Sequence, residues 1–146
     1  MIEVEIEEPA WVSALPDIEA LALSAAAAAG VDGVTILLTD DETVRDLNAR
    51  FRGQDAPTNV LSFPAPANPE SHLGDLALAF GVCAREAAEQ GKPLANHVRH
   101  LVIHGALHLI GYDHDTDADA ERMEAEEREL LAGLGVPDPY GDSERP

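Results

Sequence analysis

From Leu94 to Ile110 the chain reads as a helix that is apolar on nearly every side. A helix of that kind cannot lie on a surface, because no stripe of it is polar enough to face water. It must be the centre of a domain, and the rest of the chain must cover it. At 146 residues the chain suffices for one such domain, residues 1–146. Folding at this size removes roughly 68% of the unfolded surface from water, enough for a core without staples. Four of the six histidines, His97, His100, His104 and His108, lie on this helix. At about 100° per residue they fall within one sector roughly 80° wide.

The covering elements are legible from their periods. Residues 2–7 alternate Ile2, Val4 and Ile6 with acids, the pattern of a half-exposed strand. Pro16-Asp17 opens an alanine-rich helix that stops at Gly30, and Val34–Thr39 reads as a buried strand. Asp40 or Asp41 caps a helix with Val44, Leu47 and Phe51 on one face. Residues 52–58 are loop by composition, 59–63 a strand, and 64–73, with three prolines, loop again. A strand follows at 75–80 and a short helix at 81–90, ended by Gly91. A capping box from Thr116 to Asp119 opens the last helix, which turns Met123, Leu130, Leu131 and Leu134 inward. Strands and helices do not alternate strictly, so the fold class is α+β, with about four strands in a mixed sheet and about five helices. Residues 137–146 read as a loosely held tail.

The histidines point to metal chemistry. His104 and His108 stand at i and i+4, and Gly111 can end the helix in a left-handed turn that brings His114 back toward them. Two imidazoles on a helix and a third after a turn give zinc three ligands and an open fourth position, with nickel or copper as competitors. The ends of the alternative trio His97, His100 and His104 lie ~10.5 Å apart along a straight helix, awkward for one small ion. His97 and His100 are better read as supporting or packing residues, His72 as solvated, and Asp113 as a possible extra ligand. The string His104-Gly-Ala-Leu-His108-Leu-Ile-Gly111-Tyr-Asp-His114 fits the metzincin protease pattern except at Gly105. That pattern has a glutamate there as general base, and its absence counts against peptide hydrolysis.

Charge and cysteine content narrow the class further. The net charge is −19, from 28 carboxylates against nine Lys and Arg, which disfavours membrane surfaces and DNA reading. One cysteine, Cys83, excludes an internal disulfide and suits a reducing cytosol; it is read as a packing residue. The acidic N-terminus is unlike a secretory signal, and no stretch is long and apolar enough to span a bilayer, so a soluble, cytoplasmic protein is expected.

The His104–His114 string resembles the signature of the YbeY family, bacterial endoribonucleases also described as rRNA maturation factors. The resemblance extends to Arg52-Gly-Gln-Asp-Ala-Pro-Thr-Asn-Val-Leu-Ser-Phe-Pro64, to Leu73-Gly-Asp-Leu76 and to Gly91-Lys-Pro-Leu94. It continues through Glu124 to Asp138-Pro-Tyr140, and covers about residues 40 to 140. It implies His104, His108 and His114 as zinc ligands and Arg52 as the functional arginine. It also implies single-strand-specific RNA cleavage, 16S rRNA 3′-end processing, ribosome quality control and contact with ribosomal components.

Elementary chemistry suits those roles. Phosphodiester hydrolysis builds negative charge on phosphoryl oxygens, which a metal and an arginine fork can share. Arg52 is placed in a loop that can reach over the site. Arg45, Arg50 and Arg52 crowd one short stretch, while nine acids fall within 113–129, so a small basic cleft beside an acidic surface is expected, with weak binding of free RNA. Two other readings stay open: a non-catalytic ribosome-assembly factor with a structural metal, and a metallohydrolase that recruits a distant base, such as a carboxylate of the last helix.

Overall fold

In the computed structural model, which describes residues 1–140, the alternating N-terminal segment is strand β1 (Ile2–Ile6). After it come helices α1 (Ala10–Ala14) and α2 (Ile18–Ala28), strand β2 (Val34–Thr39) and helix α3 (Asp41–Arg52). Strands β3 (Val60–Pro64) and β4 (Gly74–Ala79) precede helices α4 (Phe80–Gln90), α5 (Leu94–Leu109) and α6 (Asp117–Gly133). The sheet order is β1-β2-β4-β3: β1, β2 and β4 run parallel, and β3 is antiparallel to β4. This is the expected α+β domain with a four-stranded mixed sheet; among the described residues it has six helices.

The additional helix is α1, a single turn too short to show a helical period. It buries Trp11, whose Nε1–H donates to the Thr39 carbonyl at 3.0 Å and whose ring meets Phe80 edge-on at 5.1 Å. Caps set the other boundaries. The Asp40 carboxylate accepts the Thr43 amide at 2.7 Å and the Thr116 hydroxyl accepts the Asp119 amide at 3.1 Å, so α3 and α6 begin where orphan amides find side-chain acceptors.

β4 lies between two strands and under helices on both faces, and its side chains alternate between two apolar clusters. Leu76 and Leu78 join Ile36, Leu38 and the apolar residues of α2 and α5 in the main core. Ala77 and Ala79 join Val44 of α3 in a smaller one. Helix α5 is buried as expected, with Val98, Val102, Ile103 and Ala106 fully inaccessible. Each buried aliphatic side chain of this kind is worth about 1.5–3 kcal/mol.

Two local expectations need correcting. Phe51 continues the apolar face of α3 but is 65% exposed, resting edge-on against Phe63 at 5.5 Å, because the helix ends beyond the smaller core. Arg52 is not in the following loop: it is the last residue of α3, which Gly53 closes at φ +69°. In the segment read as a tail, the carbonyl of Pro139 accepts from Lys92 Nζ at 3.0 Å and Asp138 accepts from Arg128 at 3.1 Å. Residues 141–146 of that segment lie outside the described residues. Among the described residues no helix is long and apolar enough to cross a membrane.

Candidate metal centre and its cleft

The C-terminal end of α5 builds the site by local rules. Gly111, at φ +106°, lets the chain reverse. The Tyr112 amide then reaches the Leu107 carbonyl at 3.0 Å and the Gly111 amide the His108 carbonyl at 3.2 Å, a Schellman closure. The same turn orients a ring, since His108 Nδ1 lies 3.0 Å from the Tyr112 carbonyl and must donate to it. His104 Nδ1 faces the Glu127 carboxylate of α6 at 3.2 Å. With both Nδ1 atoms engaged, the two Nε2 atoms face each other at 3.2 Å.

A metal ion beside two such nitrogens can be bound by both. His114, carried back by the turn, completes a group whose ligand atoms all lie within 4.8 Å of one another. This three-histidine group can hold a metal ion, and its donor chemistry fits zinc-like ions. Burial lowers the pKa of His108 below the usual histidine value, and the neighbouring His104 and His114 lower it further, which favours the neutral, ligating form. Among the described residues Asp113 does not join the group; its carboxylate accepts the Asp115 amide at 3.3 Å.

The histidines open into a cleft of about 620 Å³ whose opposite wall includes Arg52, Asn59 and Ser62. Ser62 joins the walls: its hydroxyl donates to the Gly105 carbonyl of α5 at 3.2 Å, and its own carbonyl accepts Arg52 Nη2 at 2.5 Å. The Arg52 guanidinium also lies over the Phe63 ring at 5.9 Å. Of the expected basic cluster, Arg45 is paired with Asp55 at 2.7 Å and Arg50 with Asp46 at 3.2 Å. Arg52 instead meets a neutral carbonyl, so its charge stays available to the cleft.

Gly105 explains the departure from the protease pattern in steric terms. A Cβ there would come within 2.8 Å of the Leu76 side chain and 3.2 Å of Ser62 Oγ. A glutamate at this position would be driven into β3 and β4, so the helix cannot carry the peptidase base where that pattern puts it.

The upper half of the histidine stripe does something else. His97 is buried and its Nε2 lies 2.9 Å from Glu86; His100 Nε2 lies 2.5 Å from Glu127. Both therefore pair with carboxylates. His72, expected to be solvated, is half-buried and contacts Asp75 at 2.8 Å. Cys83 is fully buried, and burial pushes its thiol up, in keeping with a packing residue.

The residue that sequence reasoning missed is Glu127. It is 0% exposed and accepts from His100, His104 and the Tyr140 hydroxyl. Burial alone would raise its pKa, but those three hydrogen bonds outweigh it and hold the carboxyl at about 2. The signal was present: Glu127 stands between Met123 and Leu131 on the apolar stripe of α6, where an acid has no business unless partnered.

Residues 3–135 match the family model described as Endoribonuclease YbeY. The chain belongs to the YbeY family. It is 51% identical to the Endoribonuclease YbeY of Paramagnetospirillum magneticum, over 97% of this chain and 96% of that one. It is 52% identical to that of Rhodopseudomonas palustris strain BisB5, over 88% and 71% respectively. A Thermotoga maritima protein solved in solution superposes with a TM-score of 0.63 at 26% identity, covering 98% of this chain and 91% of that one.

Proposed function

We propose that this YbeY-family chain is a metal-dependent endoribonuclease, with His104, His108 and His114 as ligands of one zinc ion and Arg52 as its catalytic cation. The observation that carries the reading is the three-histidine group, its ligand atoms within 4.8 Å of one another, in a cleft also lined by Arg52. When bound, a zinc ion in such a site supplies Lewis acidity at a phosphoryl oxygen and lowers the pKa of a water toward ~7.

The protein's own groups do the rest. Arg52 uses one N–H on the Ser62 carbonyl, which fixes the plane of the guanidinium, and aims the remaining donors at the non-bridging oxygens of a phosphodiester. Those oxygens gain charge as the bond to phosphorus forms, so the contact strengthens toward the transition state. The acceptors at Nδ1, Glu127 for His104 and the Tyr112 carbonyl for His108, fix which way each ring turns its Nε2. Glu127 has every oxygen occupied and no exposure, so it does not act as a general base, which removes the obvious last-helix candidate for a peptidase.

A three-ligand group leaves coordination positions for water and substrate, where a purely structural metal in an assembly factor would be closed. The cleft takes a single strand of RNA, with 16S rRNA near its 3′ end and the surrounding ribosomal components as natural substrate and partners in the cytoplasm. With Arg45 and Arg50 paired, few cations meet phosphate, and free RNA binds weakly. The test is cleavage of an end-labelled single-stranded RNA by zinc-loaded protein, with the duplexed strand and His108→Ala as controls. Cutting of the single strand alone, lost in the variant, is expected; a folded, zinc-loaded protein that cuts neither would exclude a free-standing nuclease.

A further inference from the structure

Helix α6 sends one carboxylate into the interior, and every oxygen of it is used. Glu127 Oε1 accepts the Tyr140 hydroxyl at 2.6 Å and His100 Nε2 at 2.5 Å, while Oε2 faces His104 Nδ1 at 3.2 Å. His100 Nε2 also lies 3.1 Å from the Tyr140 oxygen, and the two rings meet edge-on at 5.3 Å. A buried carboxylate on an otherwise apolar stripe is costly to desolvate, so a leucine there would be the simpler way to stabilise the core. The acid is placed where its Oε2 can select one orientation and one tautomer of His104.

We propose that Glu127 is a positioning residue for the three-histidine group, with Tyr140 as its lock. The carboxylate keeps the His104 proton on Nδ1, and Nε2 is thereby left as the lone-pair side facing His108 and His114. Tyr140 and His100 hold the other oxygen and prevent the carboxylate from rotating away. Pro139 and Asp138, bound to Lys92 and Arg128, bring the tyrosine to this point, so the segment after α6 completes the site from behind. His108 is oriented by a different device, the backbone carbonyl of Tyr112, which leaves His104 as the ligand that depends on a side chain from elsewhere in the chain. A carboxylate, imidazole and metal in series is a general way to fix a ligand's tautomer and raise its basicity, and breaking it lowers metal affinity by about 10–100-fold. The inference rests on the reading of the three histidines as a metal site.

The alternative is that Glu127 only pairs with partly buried His100 and stabilises the fold. The two are separated by zinc affinity, measured by chelator competition, and by the His104 tautomer of the zinc-free protein, read from ring ¹⁵N resonances. Glu127→Gln keeps the shape and removes the charge. It is expected to weaken zinc binding about 10–100-fold and to shift His104 toward the Nε2–H tautomer. Tyr140→Phe leaves the carboxylate in place and is expected to weaken binding several-fold. A lower Tm in both variants with unchanged zinc affinity and tautomer would overturn the proposal. Should Glu127→Gln fail to fold, Tyr140→Phe decides by the same two readouts. If wild type binds zinc and His108→Ala does not, the metal reading stands whatever Glu127 does; if wild type binds none, both fall together.

Discussion

The two halves of the α5 histidine stripe use one residue type for opposite ends. Toward the N-terminus, His97 and His100 each face a carboxylate, Glu86 and Glu127, so their Nε2 positions are occupied. Toward the C-terminus, the donors lie at Nδ1 and the Nε2 atoms of His104 and His108 are left facing each other. The difference teaches that the partner of one ring nitrogen decides what the other nitrogen can do. Glu127 joins the halves, accepting from His100 with one oxygen and from His104 with the other.

The sharpest way to break the comparison is to remove one histidine from each half. His108→Ala is expected to abolish RNA cleavage and to reduce zinc affinity by orders of magnitude, measured by a cleavage time course and by metal titration. Arg52→Ala tests the facing wall. It should lower kcat by about 10²–10³-fold, as loss of a preorganised charge donor does, while zinc affinity and Tm stay as in wild type.

His97→Ala is the counterpart in the upper half. It should cost about 2 kcal/mol through the lost packing and the lost Glu86 hydrogen bond, read as a fall in Tm of several degrees, with zinc affinity unchanged. Loss of zinc binding here would show that the stripe acts as one unit. Gly105→Ala probes the junction of the walls, where the new methyl presses on Leu76; about 1–3 kcal/mol of destabilisation is expected in denaturant titration.

Acid provides the mildest test. The carboxyl of Glu127 is held at about 2 in the fold against an ordinary value of 4.5. Its contribution to stability is therefore complete above pH about 4.5 and fades as pH falls toward 2. Unfolding midpoints of wild type and Glu127→Gln should converge across that window, and parallel curves would show that the ionised carboxylate is not what the fold relies on.

Much of this was legible in the chain because it is local. The i, i+4 spacing of His104 and His108 fixes their shared face, and Gly111 permits the positive φ that returns His114. The apolar circumference of α5 announced its burial, and Thr116 its cap. What the chain did not reveal is pairing across distance. Arg52 stands at the end of α3, and β3 meets it through the Ser62 carbonyl only because β4, the later strand, inserts between β2 and β3. Glu127 meets His104 and Tyr140 because α6 and the segment after it fold back over α5.

The sequence by itself determined the three-histidine group, the central helix and the absence of a protease base at Gly105, since helical period and turn chemistry act over a few residues. The tertiary structure decided which nitrogen of each ring is free, which arginine keeps its charge, and which acid is buried. Those depend on partners that periodicity does not name: a repeat of hydrophobic residues specifies that a face is covered, and only packing specifies by what.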